Sequence, residues 1–177
     1  MWAYLLDSHF GNRNKRQMNI FILSKDPQKA AHYLCDKHVV KMVLESAQML
    51  CSAFPSGDAP YKRAYYNHPC TKWARESQQN YRWLLDHAAA LCIEYALRYG
   101  KCHKSWDAIR WCNNNHDKLG LPNVGLTEFA QAMPDEYKQP CPVSAYRAYY
   151  NGDKHSFAKW RLGNVPDWFS PAPLVTN

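Results

Sequence analysis

Glycine is scarce in this chain, seven in 177 residues, and none falls in a G-x-G-x-x-G or Walker phosphate-loop pattern. Dinucleotide and P-loop nucleotide sites are therefore unsupported. No apolar run approaches the roughly 18 residues that a membrane helix needs. The opening MWAYLLDSHF lacks a basic n-region, so a secretory signal is not expected either. Strand-like alternation is nearly absent outside NIFIL, residues 19–23. Acidic residues are outnumbered: 15 Asp and Glu against 22 Lys and Arg leave a formal charge of +7. With 14% aromatic residues, that surplus points towards nucleic acid, because cations neutralise phosphate and ring faces stack on exposed bases. The seven cysteines are odd in number and widely spaced, which favours reduced thiols in a cytoplasmic protein.

What remains is helical periodicity, at a length that suits one domain. Ser24, Asp26 and Pro27 form a helix start, and the pattern runs from Pro27 to about Phe54 before Pro55 and Gly57 end it. A second long stretch runs from about Cys70 to Tyr99, with Gly100 as its stop. Shorter helices are expected over His103–Asn113, over LTEFAQAM with Thr127 as cap, and over VSAYRAYY up to Asn151 and Gly152. MPDEYKQPCP reads as an ordered loop, HSFAKW as a final turn or two, and VPDWFSPAPLVTN as an irregular aromatic tail. The fold class expected is all-α: two long helices, several short ones and that tail.

Within CDKHVVKMVLES, helical spacing sets His38, Lys41, Glu45 and Gln48 on one polar stripe. One reading is a solvated face with an ordinary Lys41–Glu45 pair worth a few tenths of a kcal/mol. The other is a carboxylate set among cations and an imidazole, able to stabilise positive charge or move a proton. Spacing alone does not separate them. In YKRAYYNHP, Lys62, Arg63 and His68 stand beside tyrosines, suiting either phosphate contact or a surface loop that anchors its tyrosines in the core. Lys72 and Arg75 could extend that basic face. Cys102, His103, Cys112 and His116 lack the paired spacing of structural zinc, so no metal is expected.

Beyond that helix, four further segments keep a common order. DKHVVKMVLES resembles the early helix of the phage pyrimidine-dimer DNA glycosylases with AP-lyase activity, the endonuclease V type, in which Asp-x-His is followed by a Glu seven residues after the His. MNIFIL resembles the stretch that opens those enzymes, and NHPCTKWARESQQNYRWLLDHAAALCIEYALRYGK resembles their long second helix. MPDEYKQPCP is similar to their Ile-Pro-Gln-Glu-Phe-Arg loop, and VPDWF to a Pro-Thr-Trp-Tyr segment of a DNA-contacting tail.

The resemblance implies a cofactor-free enzyme acting on damaged or modified double-stranded DNA. An N-terminal α-amine attacks C1′ and a glutamate assists. Carried over, Glu45 is the catalytic carboxylate, His38 lines the site, and Lys41 and Gln48 contact DNA beside it. Lys62, Arg63, His68, Lys72, Arg75, Trp168 and Phe169 complete the DNA face. The position of the nucleophile falls on Met18, which makes residues 1–17 an extension that the native protein need not contain and 18–177 a single glycosylase-like domain. Two family arginines, one before the glutamate and one three residues after it, correspond to Leu44 and Gln48. That departure keeps two alternatives open: a non-catalytic nucleic-acid-binding phage accessory protein, and an enzyme of phage DNA base modification. Neither a membrane nor an obligate protein partner is expected, and the expected location is the cytoplasm, that of an infected host cell if the gene is phage-borne.

Overall fold

Proline has its φ preset for a helix, and the Asp26 carboxylate ahead of Pro27 accepts from the Lys29 amide at 2.7 Å. Together they start α1, Pro27–Tyr33. In the computed structural model, which describes residues 18–170, five more α-helices follow: α2 Asp36–Cys51, α3 Pro69–Ala74, α4 Gln78–Tyr99, α5 Trp106–Asn115 and α6 Pro142–Tyr149. Short 3-10 turns at His116–Leu119 and Asp135–Tyr137 and a π turn at Tyr150–Lys154 complete the order. No strand occurs among the described residues, so the fold is all-α. Residues 1–17, expected to be an extension, and the last seven of the aromatic tail lie outside the described residues.

Helix α4 is the axis of the packing. Both α1 and α2 lie against it, and α5 bridges α2 and α4. Trp73, Tyr81, Leu84, Leu91, Tyr146 and Tyr150 are among the side chains almost wholly removed from solvent. Gly100 ends α4 at φ 67°, a left-handed conformation that glycine adopts without a Cβ penalty, and its amide bonds back to Ala96 O at 2.8 Å. No helix among the described residues is long and apolar enough to cross a membrane.

The structure departs from the periodicity in four places. The stretch expected to run unbroken from Pro27 to Phe54 is interrupted at Leu34 and Cys35, which are extended. The carbonyls freed by this break are taken up by Arg98 of α4, which donates to Leu34 O at 2.7 Å and His32 O at 3.1 Å. The same guanidinium pairs with Asp36 at 3.1 Å and Glu94 at 2.8 Å. Its side chain is wholly buried. The second stretch is also divided, because the Ser77 hydroxyl accepts from the Asn80 amide at 3.0 Å and begins a new helix.

Thr127 caps no helix. Its hydroxyl oxygen, the acceptor that a cap would use, already accepts from Asn80 Nδ2 at 2.6 Å and donates to Glu76 at 2.8 Å, and its amide donates to Asn80 Oδ1 at 2.9 Å. Phe129 still reaches the core between Trp73 and Trp83, with centroids 5.1 and 5.0 Å away. NIFIL forms no strand either. With no ladder beside it, two of its amides are satisfied locally: Asn19 Oδ1 accepts from Ile20 N and Phe21 N at 2.8 and 3.1 Å. HSFAKW contributes turns, as its sequence led us to expect.

Removing Arg98 would strand two buried carbonyls and leave Asp36 and Glu94 without their shared cation. Breaking a buried pair from one side costs about 3–5 kcal/mol. Arg98→Met is therefore expected to lower the urea midpoint by an amount equivalent to that loss. An unchanged midpoint would mean that the α1–α2 break stands without the clamp.

Candidate active site

Residues 18–23 are apolar apart from Asn19, and every one is buried. The chain can hide such a segment only if its backbone polar groups find partners. Asn19 supplies several of them, since besides its two contacts to the following amides its Nδ2 donates to Ala132 O at 2.7 Å. Its own amide is left pointing at α2, where it donates to Glu45 Oε2 at 3.0 Å. Lys41, one turn earlier on α2, holds Glu45 Oε1 at 2.9 Å. Glu45 is 7% exposed.

The glutamate is thus pulled two ways. Burial raises its pKa above the ordinary 4.5, and the Lys41 ammonium and the Asn19 amide oppose that by stabilising the anion. A carboxyl group with a raised pKa, in contact with both an ammonium and a backbone amide, suits proton transfer. It opens onto a cavity of about 360 Å³ lined by Met18, Lys41, Leu44, Glu45, Gln48 and Tyr65. Four residues expected at the site, Met18, Lys41, Glu45 and Gln48, are brought together here. Leu44, one of the positions that lack the family arginine, forms an apolar wall and is 42% exposed.

His38 does not line this cavity. It stacks on Phe21 with centroids 4.2 Å apart, meets Phe157 edge-on at 5.5 Å, and hydrogen-bonds through Nδ1 to the Tyr150 hydroxyl. Burial, reinforced by the charges of Lys154 and Lys41, lowers its pKa to about 3. It is therefore a neutral imidazole in the wall behind the site. The stripe expected to be uniformly polar is buried at His38 and Glu45 and open at Lys41.

Two of the basic residues meet at Tyr66, the chain neighbour of Tyr65 in the cavity lining. Arg63 and Arg75 both lie over the Tyr66 ring, at 4.3 and 3.5 Å from its centroid. Lys62 and Lys72 are exposed on the same loop and on α3. His68 is used locally: as N-cap of α3, its Nδ1 accepts from Cys70 N at 3.2 Å. Trp168 and Phe169 pack against the body of the protein. Trp168 meets Tyr33 edge-on at 5.9 Å and has Arg147 over it at 5.2 Å, while Phe169 lies 4.7 Å from Trp160.

Two participants were not anticipated. Asn19 follows Met18 as a bulky residue in an apolar run, and nothing local signals that it reaches Glu45 and Ala132. Tyr65 was grouped with its loop, although it adopts φ 50°, a left-handed conformation that costs a residue bearing a Cβ roughly 1–2 kcal/mol. The cysteines and histidines weighed as zinc ligands do not converge. Cys112 faces Cys51 with sulfurs 3.6 Å apart, and His116 contacts Arg82 at 2.8 Å. Among the described residues no group of His, Cys, Asp or Glu is arranged to hold a metal ion.

The family model for pyrimidine dimer DNA glycosylases matches residues 18–108. That span begins at Met18 in the cavity and takes in Glu45, Lys41, the tyrosine loop and the Arg98 clamp. No curated protein and no solved structure matches the chain. A family match over half of the chain, covering every residue that lines the cavity, decides the assignment: the protein belongs to the pyrimidine dimer DNA glycosylase family.

Proposed function

We propose that this glycosylase also has AP-lyase activity, with Glu45 as its catalytic carboxylate and the α-amine of Met18 as its nucleophile. The observation that carries this reading is the 3.0 Å bond from the Asn19 amide to Glu45. The nitrogen of Met18 is one residue upstream of that amide, and Met18 is among the residues that line the same cavity. An α-amine has a pKa near 8 and holds far more free base at neutral pH than a lysine at about 10.4.

The family match beginning at residue 18 supports a native chain that starts at Met18. Asn19 is bulky enough to keep that methionine in place.

In the proposed sequence the amine attacks C1′, the N-glycosidic bond breaks, and the base leaves with a proton supplied by Glu45. The C1′–O4′ bond then opens as a proton passes from the attacking nitrogen to O4′, and the open-chain sugar is held as an iminium. The Glu45 carboxylate next accepts a proton from C2′, and the 3′-phosphate departs by elimination, nicking the strand. Lys41, 2.9 Å from Glu45, keeps the carboxylate placed and presents a cation to the backbone. Arg63, Arg75, Lys62 and Lys72 offer further phosphate contacts beside the cavity.

The direct assay offers duplexes containing ultraviolet damage, uracil, an abasic site or a hypermodified base, and scores abasic products and nicks separately. Glu45→Gln is expected to abolish both products while leaving DNA affinity nearly unchanged. Nicking at the parent rate would remove Glu45 from the mechanism. Salt-sensitive binding by the parent with no product at all would instead favour an accessory DNA-binding role, consistent with Leu44 and Gln48 in place of arginines.

Stability gives a separate expectation. Because the folded-state pKa of Glu45 is raised, ionising it opposes folding; the penalty is absent below about pH 4.5 and grows as pH rises through the raised value. Glu45→Gln is expected to melt at a higher temperature than the parent at neutral pH, with the gain fading towards pH 4.5. A variant less stable at every pH would contradict this.

A further inference from the structure

Two non-glycine residues among those described have positive φ, Phe21 and Tyr65. Phe21 is buried, and its ring is fully used in stacking on His38. Tyr65 is different: it is 51% exposed, and its hydroxyl has no hydrogen-bond partner among the described residues. A strained backbone normally persists because its surroundings impose it, and such positions cluster at ligand-binding sites.

The surroundings of Tyr65 do impose it. On one side, the Ala64 amide donates to the Ser52 hydroxyl at 3.0 Å, at the C-terminus of the helix that carries Glu45. On the other, Tyr65 O accepts from His68 N at 2.9 Å and Tyr66 O from Arg75 at 3.0 Å. The Tyr66 ring is held by Arg63 and Arg75. These fixed flanks leave an aromatic side chain standing at the wall of the Glu45 cavity, with the exposed apolar Leu44 among the other lining residues. Tyr65 does not anchor its loop in the core, since its ring lies outside the buried cluster and outside the residues packed on it.

We propose that Tyr65 is a substrate-stacking residue, whose ring covers the face of the nucleobase attached to the sugar in the Glu45 cavity, with Arg63 and Arg75 on the adjoining phosphates. This rests on the glycosylase reading of that cavity. An aromatic face beside cations is the chemistry that binds an unstacked base with tolerance for its identity. The consequence for specificity is that the site favours bases that leave the duplex stack easily and still offer a planar face.

The test compares the full-length parent, Tyr65→Asn and Tyr65→Phe on two labelled duplexes. One carries a single uracil–guanine mispair, the other a tetrahydrofuran residue in place of the uracil. Asparagine tolerates the left-handed conformation, so Tyr65→Asn should melt no lower than the parent. It should bind the mispaired duplex about 10- to 100-fold more weakly, yet bind the tetrahydrofuran duplex as the parent does. Tyr65→Phe should retain parental affinity for both. Equal losses on both duplexes, or no loss on either, overturn the stacking role. Should the parent bind without releasing uracil, the catalytic reading passes to the other lesion duplexes, and the stacking role is still decided by the two affinities. A parent that binds neither duplex overturns both.

Discussion

The hydrogen bond from the Asn19 amide to Glu45 is the constraint around which the rest is arranged. Burying a carboxylate is unfavourable unless its oxygens are satisfied, and here one oxygen faces a backbone amide and the other an ammonium. The two partners are held differently. The amide belongs to a segment sealed into the core, and Lys41 rides on the same helix as the glutamate. The carboxyl group is therefore fixed in position while its proton remains exchangeable, the combination that general acid–base chemistry requires.

Holding that geometry requires α2 to be fixed at both ends. At its start, Arg98 joins Asp36 to the carbonyls released by the α1–α2 break, and the Asp36 carboxylate also accepts from Arg161 N at 2.9 Å. At its end, the Ser52 hydroxyl bonds to Gln48 O at 2.7 Å and meets both backbone groups of Ala64 at 3.0 Å. The helix that bears the glutamate is thereby tied directly to the loop that bears Tyr65. His38, neutral and closed in by aromatic rings, contributes shape to this wall and carries no charge at neutral pH.

Features fixed by neighbours in the chain were legible in the sequence. Asp26 with Pro27, Gly100 and the spacing of Lys41, Glu45 and Gln48 all act within a turn or two, and each appears in the structure as read. What escaped reading depends on distant partners. The break at Leu34 and Cys35 requires an arginine more than 60 residues away, and the Thr127 helix is pre-empted by Asn80 and Glu76. His38 was assigned to the polar face by its spacing, but Phe21 and Tyr150 enclose it from two separate parts of the chain. Asn19 could not be recognised as a hub without knowing that Ala132 and Glu45 converge on it.

The central claim is that the backbone nitrogen next to this amide is the nucleophile facing Glu45. Borohydride trapping of a chain beginning at Met18 on abasic-site DNA, followed by peptide mapping of the adduct, tests it most directly. The account predicts a covalent link at the α-nitrogen of Met18. An adduct on Lys41, or no adduct while the strand is still cut, would contradict it.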